Sequence, residues 1–292
     1  MSSIALVSDS TAGLSEEFVQ RHGIRIVPLY LKIGEGVYRD GVDIGPDEFY
    51  RRLPQADSLP TTSQPSVGDF ARVYGELAEQ GATHIISMHL SAEISGTINS
   101  ANLAAQQVPG VQVEIIDTRA AAGAHQLTVE VAAQQIQAGA SFEDVVAAAR
   151  RVVEEQRIVF TVDTLEYLYK GGRIGGAAAL LGSLLKFKPL LYFSEGRIDA
   201  LERVRTSNRA LTRMAEVMAE WLGSEEPLQA IVMDAAATDR ANTLAKMLPN
   251  YINVVNVRVA AVPPVLGAHG GPGMVGLCCC PVSVCGTGKE DE

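Results

Sequence analysis

Short apolar runs alternate with amphipathic stretches along the first half of the chain. Ile4 to Val7 is an apolar run that ends at Ser8-Asp9-Ser10-Thr11-Ala12-Gly13. Ser15 can cap a helix with Glu16 and Glu17 in its first turn, and Gly23 ends it. Ile24 to Leu31 reads as one strand, Gly34-Glu35-Gly36 as a tight turn, and a second strand follows through Tyr38. Pro46-Asp47-Glu48 opens a short helix through Leu53. Ser66-Val67-Gly68-Asp69 has the form of a capping box, with Asp in place of the usual Glu, and Gly81 closes that helix. His84 to Leu90 is a strand, Ser95 to Gln107 is helical in composition, and Val113 to Ile116 is a strand beyond the Pro109-Gly110 break. Ala120 to Ala138 and Phe142 to Gln156 are helices, the second capped by Ser141. Strand, helix, strand, helix is the pattern of a parallel sheet with helices on its faces.

The second half has a different rhythm. Arg157 to Val162 is a strand, followed by a short helix through Tyr169 and the run Gly171-Gly172-Arg173-Ile174-Gly175-Gly176. An apolar helix is expected from Ala177 to Leu185. Leu190 to Phe193 and Ile198 to Arg205 read as strands joined across Ser194-Glu195-Gly196-Arg197. Thr206 or Ser207 caps a long helix to Leu222, Leu228 to Met233 is a strand, and Asp239 to Leu248 is a helix. Ile252 to Val262 and Met274 to Val284 are β-rich. They flank Pro263-Pro264 and a loop, Gly267-Ala268-His269-Gly270-Gly271-Pro272-Gly273. The expected architecture is α/β in two domains. Residues 1–155 form a Rossmann-like parallel-sheet domain, and residues 156–292 an α/β domain with a mixed or antiparallel sheet. No low-complexity linker or internal repeat interrupts the chain, so the two halves are expected to pack closely.

Composition narrows the function. With 292 residues, 47% of them hydrophobic and 20% charged, the chain can bury a large core without staples. The net charge of -10 argues against a nucleic-acid binder that relies on bulk charge, because neutralising phosphates takes an excess of Lys and Arg. No run reaches the roughly 20 apolar residues of a bilayer span. The start, Met1-Ser2-Ser3-Ile4, has no basic segment, so no signal peptide is expected and the default location is the cytoplasm. Cys278, Cys279, Cys280 and Cys285 all fall near the end. Strand alternation would turn Cys278 and Cys280 to one face and Cys279 to the other, as small apolar residues in a reducing compartment. No metal-ligand spacing joins them, and none joins His22, His84, His89, His125 and His269. The P-loop, the nucleophile elbow and the H-E-x-x-H zinc motif are all absent, and no dinucleotide-binding glycine fingerprint follows the first strand.

Two runs are polar and small where a helix should start. Pro60-Thr61-Thr62-Ser63-Gln64-Pro65-Ser66 precedes one helix, and Ser91-Ala92-Glu93-Ile94-Ser95-Gly96-Thr97 follows an apolar strand and opens another. In open α/β sheets, ligands bind outside the carboxyl ends of the strands. Helix-start N–H groups and hydroxyls there can hold a carboxylate or phosphate without a cation. Ordinary helix capping would use the same residues. Arg173 stands between two glycine pairs, where backbone can approach a ligand and guanidinium can grip an oxyanion. His269 sits among Gly and Pro. A turn with a solvated Arg and a turn with a stray His are the plain alternatives.

Taken in order, Ser8-Asp9-Ser10-Thr11-Ala12-Gly13-Leu14, Pro60-Thr61-Thr62-Ser63-Gln64-Pro65-Ser66, Ser95-Gly96-Thr97, Lys170-Gly171-Gly172-Arg173-Ile174 and His269-Gly270-Gly271-Pro272-Gly273 resemble the DegV family. The resemblance runs from residue 4 to about residue 284. It implies a bacterial fatty-acid-binding protein that holds one long acyl chain between its two domains, with no cofactor of its own. It also implies a partner. Many such proteins are the binding subunit of fatty-acid kinase and present the carboxylate to a separate catalytic subunit. That subunit brings ATP and Mg²⁺ and makes an acyl phosphate for phospholipid synthesis. Transient contact with a membrane is compatible with this role, and nucleic acid is not an expected partner. The family's carboxylate-binding hydroxyls map onto Thr62 and Ser95, with Ser63 and Gly96 beside them. Its outer Arg and His map onto Arg173 and His269. Ala92 stands where a second Ser would be expected, and the cysteine-rich end has no counterpart in the family pattern. The apolar segment Ala177 to Leu185 is a candidate wall for the acyl chain or ordinary core.

Besides a protein-interaction module with no ligand, two other readings remain open at this level. One is a lipid carrier or sensor with no kinase. The other is a stand-alone acyl-ester hydrolase using Ser95 and His269, which requires an orienting carboxylate; Asp9 is the candidate.

Overall fold

The computed structural model describes residues 3–183 and 187–287. The chain runs β1 (Ile4–Asp9), α1 (Glu16–Arg21), β2 (Arg25–Val27), β3 (Tyr30–Ile33), β4 (Gly36–Arg39), α2 (Pro46–Arg52), β5 (Thr61–Ser63) and α3 (Val67–Glu79). It continues through β6 (His84–His89), α4 (Thr97–Ala105), β7 (Gln112–Asp117), α5 (Gly123–Gln137) and α6 (Phe142–Glu155). Then come β8 (Arg157–Thr161), α7 (Glu166–Lys170), β9 (Lys188–Ser194), β10 (Arg197–Val204), α8 (Ser207–Leu222), β11 (Leu228–Asp234) and α9 (Thr238–Met247). The last elements are β12 (Val254–Ala261), α10 (Pro264–Gly270), β13 (Val275–Pro281) and α11 (Val282–Cys285).

The first sheet is parallel, in the order β2-β1-β6-β7. It is apolar on both faces because helices cover both. Leu6 packs with Ile86, Met88 and Val129, while its neighbour Val7 points the other way, into Phe70, Tyr74 and Ile85. The chain goes from β1 outward to β2 and returns on the other side at β6, so the topological switch lies between β1 and β6. Ser15, Ser66, Ser141 and Thr206 cap their helices as the sequence predicts, and Ser66 with Asp69 forms the full reciprocal box.

The expected single strand from Ile24 to Leu31 is two strands in two sheets. Pro28 has no N–H to give a ladder. β2 stays beside β1, while β3 joins β4 and β5 in a separate antiparallel sheet of order β4-β3-β5. Part of the hydroxyl-rich run after Pro60 is therefore edge strand β5 and not loop.

The second sheet is mixed, in the order β10-β9-β8-β13-β11-β12, antiparallel except for the pair β11 and β12. Glu195 and Gly196, both at positive φ, make the tight turn between β9 and β10. Helices α8 and α9 cover one face, packing Met214, Met218 and Leu244 on Val159, Val232 and Leu277. The other face meets α5. Every residue of α5 from Gly123 to Ala133 is buried. Its Leu127 and Val131 pack on Ile158, Ile231 and Cys278 of the second sheet, and its Val129 and Ala132 on the first. Cys278 and Cys280 face α5, Cys279 faces α8, and all four thiols are free and buried.

Two expectations in the second half change. The segment from Ala177 does not form an α-helix: Gly175–Ser183 winds as a 3-10 helix, and Leu184 and Leu185 lie outside the described residues. Gly175, Gly176 and Gly182 deprive it of helix propensity. The Gly-rich segment holding His269 is not all loop, because Pro264 starts α10 and His269 lies in its last turn.

Asp40, after β4, is buried and accepts a hydrogen bond from Val265 N–H at the start of α10 (3.3 Å). Burial pushes its pKa up to about 7, against the pull of Ser10 and the Val265 N–H. A carboxyl with a raised folded pKa favours the fold when protonated, and that contribution is lost as pH rises through about 7. Asp40→Asn cannot ionise. Thermal melts should therefore show wild type losing stability relative to Asp40→Asn between pH 5 and pH 8, by a few kcal/mol. A difference independent of pH would contradict this account of Asp40.

Candidate functional site

A cavity of about 360 Å³ lies between the second sheet and the loops at the carboxyl end of the first. Five consecutive strands give its floor: Ile198 of β10, Phe193 of β9, Ile158 and Phe160 of β8, Gly276 of β13 and Met233 of β11. The register explains why they share a face, since Phe193 pairs with Ile198 and Gly276 pairs with both Phe160 and Met233. Leu90, Ala121 and Ala122 face them from the first domain, and Val265 and Leu266 of α10 close a side. Among the described residues of Ala177 to Leu185 none lines the cavity. Ala177 and Leu180 pack with Leu168 and Ile198, which do line it.

The polar lining is one connected cluster. Thr62 Oγ1 and His269 Nε2 are 2.7 Å apart. The His269 ring lies against Gly171, so closely that a β-carbon there would overlap Nδ1. Gly171 O accepts from Arg173 Nη1 at 2.8 Å, and Arg173 Nε donates to Ile94 O at 3.0 Å. Ile94 leads to Ser95 and Gly96, and a β-carbon at Gly96 would overlap Gln64. Gln64 is two residues from Thr62, which closes the hoop. Ser95 Oγ lies 2.9 Å from Thr97 Oγ1 and accepts from Thr97 N–H at 3.3 Å. Thr62, Ser63, Ser95, Arg173 and His269 thus meet at the cavity, while Gly96 stands behind Gln64 and does not line it.

His269 is neutral at pH 7. Burial, reinforced by the nearby Arg173 charge, brings its pKa down to about 4. Its Nδ1 is buried with no hydrogen-bond partner among the described residues. An orphaned donor is costly, so the ring proton belongs on Nε2, where it is donated to Thr62 Oγ1. The Thr62 hydroxyl then has its own proton to donate. The hoop offers a ligand hydroxyl donors and one guanidinium, and it holds no carboxylate.

The triad Ser95, His269 and Asp9 is not assembled. His269 bonds Thr62, Ser95 bonds Thr97, and Asp9 belongs to a separate buried cluster. Asp9 Oδ1 accepts from Thr11 N–H (2.9 Å) and Thr11 Oγ1 (2.6 Å), and Oδ2 accepts from Leu90 N–H (3.0 Å). His89 Nδ1 is 3.1 Å from Oδ2, and His125 Nδ1 is 3.9 Å from Oδ1. Burial would raise the Asp9 pKa, but the two histidines and Thr11 hold it at about 2. The cluster ties the carboxyl ends of β1 and β6 together beneath the Ser91–Ser95 loop.

Among the described residues no group of three or more His, Cys, Asp or Glu side chains is placed to hold a metal ion, and no helix is long and apolar enough to cross a membrane. A family model described as "Uncharacterised protein, DegV family" matches residues 3–282. The chain belongs to the DegV family. It is 40% identical over 275 residues to a DegV domain-containing protein of Streptomyces coelicolor, covering 94% of this chain and 97% of that one. It is similar to a Thermus thermophilus DegV family structure described by its fatty acid binding (TM-score 0.90, 37% identity, 96% of this chain and 99% of that one). It is also similar to DegV of Bacillus subtilis, described as a fatty acid binding protein (TM-score 0.88, 33% identity, 96% and 100%).

Sequence reasoning missed three features of this DegV-family site. Gln64 lies in the Pro60 to Ser66 run with no spacing or charge to mark it, though its amide carries a donor and an acceptor at the end of a longer side chain than its hydroxyl neighbours have. The glycines around Arg173 suggest, from sequence, room for a ligand. Gly171 instead gives room to His269, Gly175 to the Ile198 carbonyl and Gly176 to Asp199. The floor residues carried no polar signal at all. The Gly171 contact makes a prediction: Gly171→Ala should displace the His269 ring and break its bond to Thr62. Imidazole ¹⁵N NMR should show a protonated Nε2 and no titration above about pH 5 in wild type, and loss of that fixed tautomer in the variant. Identical spectra would contradict the geometry.

Proposed function

We propose that this chain binds one long-chain fatty acid in the cavity and presents its carboxylate to a separate kinase subunit. The observation that carries the reading is an apolar floor spanning five strands beside a single hoop of hydroxyls with one guanidinium. Relatives described as fatty-acid-binding proteins share the fold over almost the whole chain. Burying a methylene is favourable by about 0.8 kcal/mol, so a chain of about 16 carbons offers ample driving force even after the cost of association. Orientation then falls to the hoop. Thr62 and Ser95 donate to the carboxylate, Ser63 and the backbone at Gly96 support them, and His269 fixes the Thr62 hydroxyl. Arg173 balances the carboxylate charge from the mouth and meets the added charge of an acyl phosphate. In this reading the chain catalyses nothing itself, and ATP and Mg²⁺ belong to the partner.

Native and denaturing mass spectrometry of the purified protein test the binding. A non-covalent excess equal to one fatty acid, lost on denaturation, is expected. Thr62→Ala and Ser95→Ala should each weaken uptake of added fatty acid by roughly 10- to 100-fold, the worth of a hydrogen bond to a charged group. A protein that purifies empty and takes up no added fatty acid would sink the reading. The kinase step has its own test: acyl phosphate formation from the loaded protein, a fatty-acid kinase catalytic subunit and ATP. Binding without phosphorylation would leave a carrier or sensor.

A further inference from the structure

One rung of the cavity floor has no side chain in its middle. Phe160, Gly276 and Met233 are cross-strand partners on β8, β13 and β11, and all three line the cavity. Paired residues of an antiparallel sheet point to one face, so Phe160 and Met233 stand on either side of a furrow at Gly276. One rung away the same strand is filled, where Cys278 lies between Ile158 and Ile231. Gly276 is not held in the left-handed region, so the need for glycine there is a need for space. A β-carbon at Gly276 would lie 2.6 Å from Met233 Cε. Met233 is confined on its other side too. Gly123 N–H donates to its Sδ at 3.3 Å, and a β-carbon at Gly123 would lie 3.2 Å from that sulfur. The thioether is therefore seated between two glycines from two elements, with its tip at the furrow. None of the polar hoop belongs to this rung.

We propose that the furrow at Gly276 and the Met233 tip gauge the methyl end of the acyl chain, setting how many methylenes the cavity admits. The inference rests on the fatty-acid reading above. The carboxylate is held at the hoop, so the tail has to run over the apolar floor, and among the described floor residues Gly276 is the one with no side chain of its own, its space taken by the movable Met233 tip. An unbranched, polarizable methionine is suited to close such a space around a chain end. A methyl group at position 276 would fill the furrow and push the Met233 tip toward the cavity. Removing the Met233 side chain would lengthen the space.

The test is competition among saturated acids from dodecanoic to icosanoic, offered together to the delipidated full-length protein and read by native mass spectrometry. Each methylene kept out of the cavity costs about fourfold in affinity. Gly276→Ala should shift the bound set to shorter chains, Met233→Ala to longer ones, and Met233→Ala in the Gly276→Ala background should restore the wild-type set. Should Gly276→Ala fail to fold, Met233→Ala alone decides. A wild-type protein that takes up several acids, with variants that fold and keep the same chain-length profile, would overturn the gauge and leave the fatty-acid reading intact. Wild type that takes up none would overturn both.

Discussion

The helix α5 has no solvent face along Gly123 to Ala133, and the arrangement of both domains depends on that burial. A helix apolar on one stripe needs one sheet; a helix buried all round needs two. Leu127 and Val131 hold the second sheet while Val129 and Ala132 hold the first, so the sheets cannot slide without opening a core. The polar side chains on α5 obey the same constraint. Glu130 is buried and pairs with Arg258 of β12, and Gln126 donates to Glu130 Oε1 at 2.9 Å. His125 turns the other way, into the Asp9 cluster. One helix thus carries the apolar seam and a polar bond toward each sheet.

The cavity is what this docking leaves open. Its floor continues the face of the second sheet on which α5 packs, with Ile158 and Met233 touching both, and its roof is the loop edge of the first sheet beside the switch between β1 and β6. The hoop crosses the domain boundary twice, from Thr62 to His269 and from Arg173 to Ile94. A third crossing lies nearby, where Ser91 Oγ donates to Gly196 O at 2.7 Å. Any change in the angle between the domains would move the hydroxyls relative to the guanidinium, so the polar geometry follows from the apolar packing beneath it.

Apolar and polar parts divide the work. The floor supplies a non-directional driving force that grows with buried area, while the hoop supplies direction and a smaller share of the affinity, because each of its few hydrogen bonds replaces one to water. Burial keeps His269 neutral beside Arg173, so among the described residues Arg173 is the one positive charge lining the cavity. Glycine enters as space: Gly171 for the His269 ring, Gly96 for Gln64 and Gly276 for Met233.

By itself the sequence determined most of the elements and their order, because caps, turn glycines and apolar periodicity act over a few residues. Ser66 with Asp69, Ser141 before α6 and the alternation of Cys278, Cys279 and Cys280 were legible for that reason. The ordered motifs also made the family legible, and with it Thr62, Ser95, Arg173 and His269 as residues to watch. The split at Pro28 also has a local signal, since proline brings no N–H to a ladder. Tertiary structure alone decided what lies across from what: that His269 bonds Thr62 and not Ser95, that Asp9 serves two buried histidines, and that Gly276 stands between Phe160 and Met233. Those pairs are far apart in the chain. Their meeting depends on how two sheets close on α5, and no local pattern of residues encodes that closure.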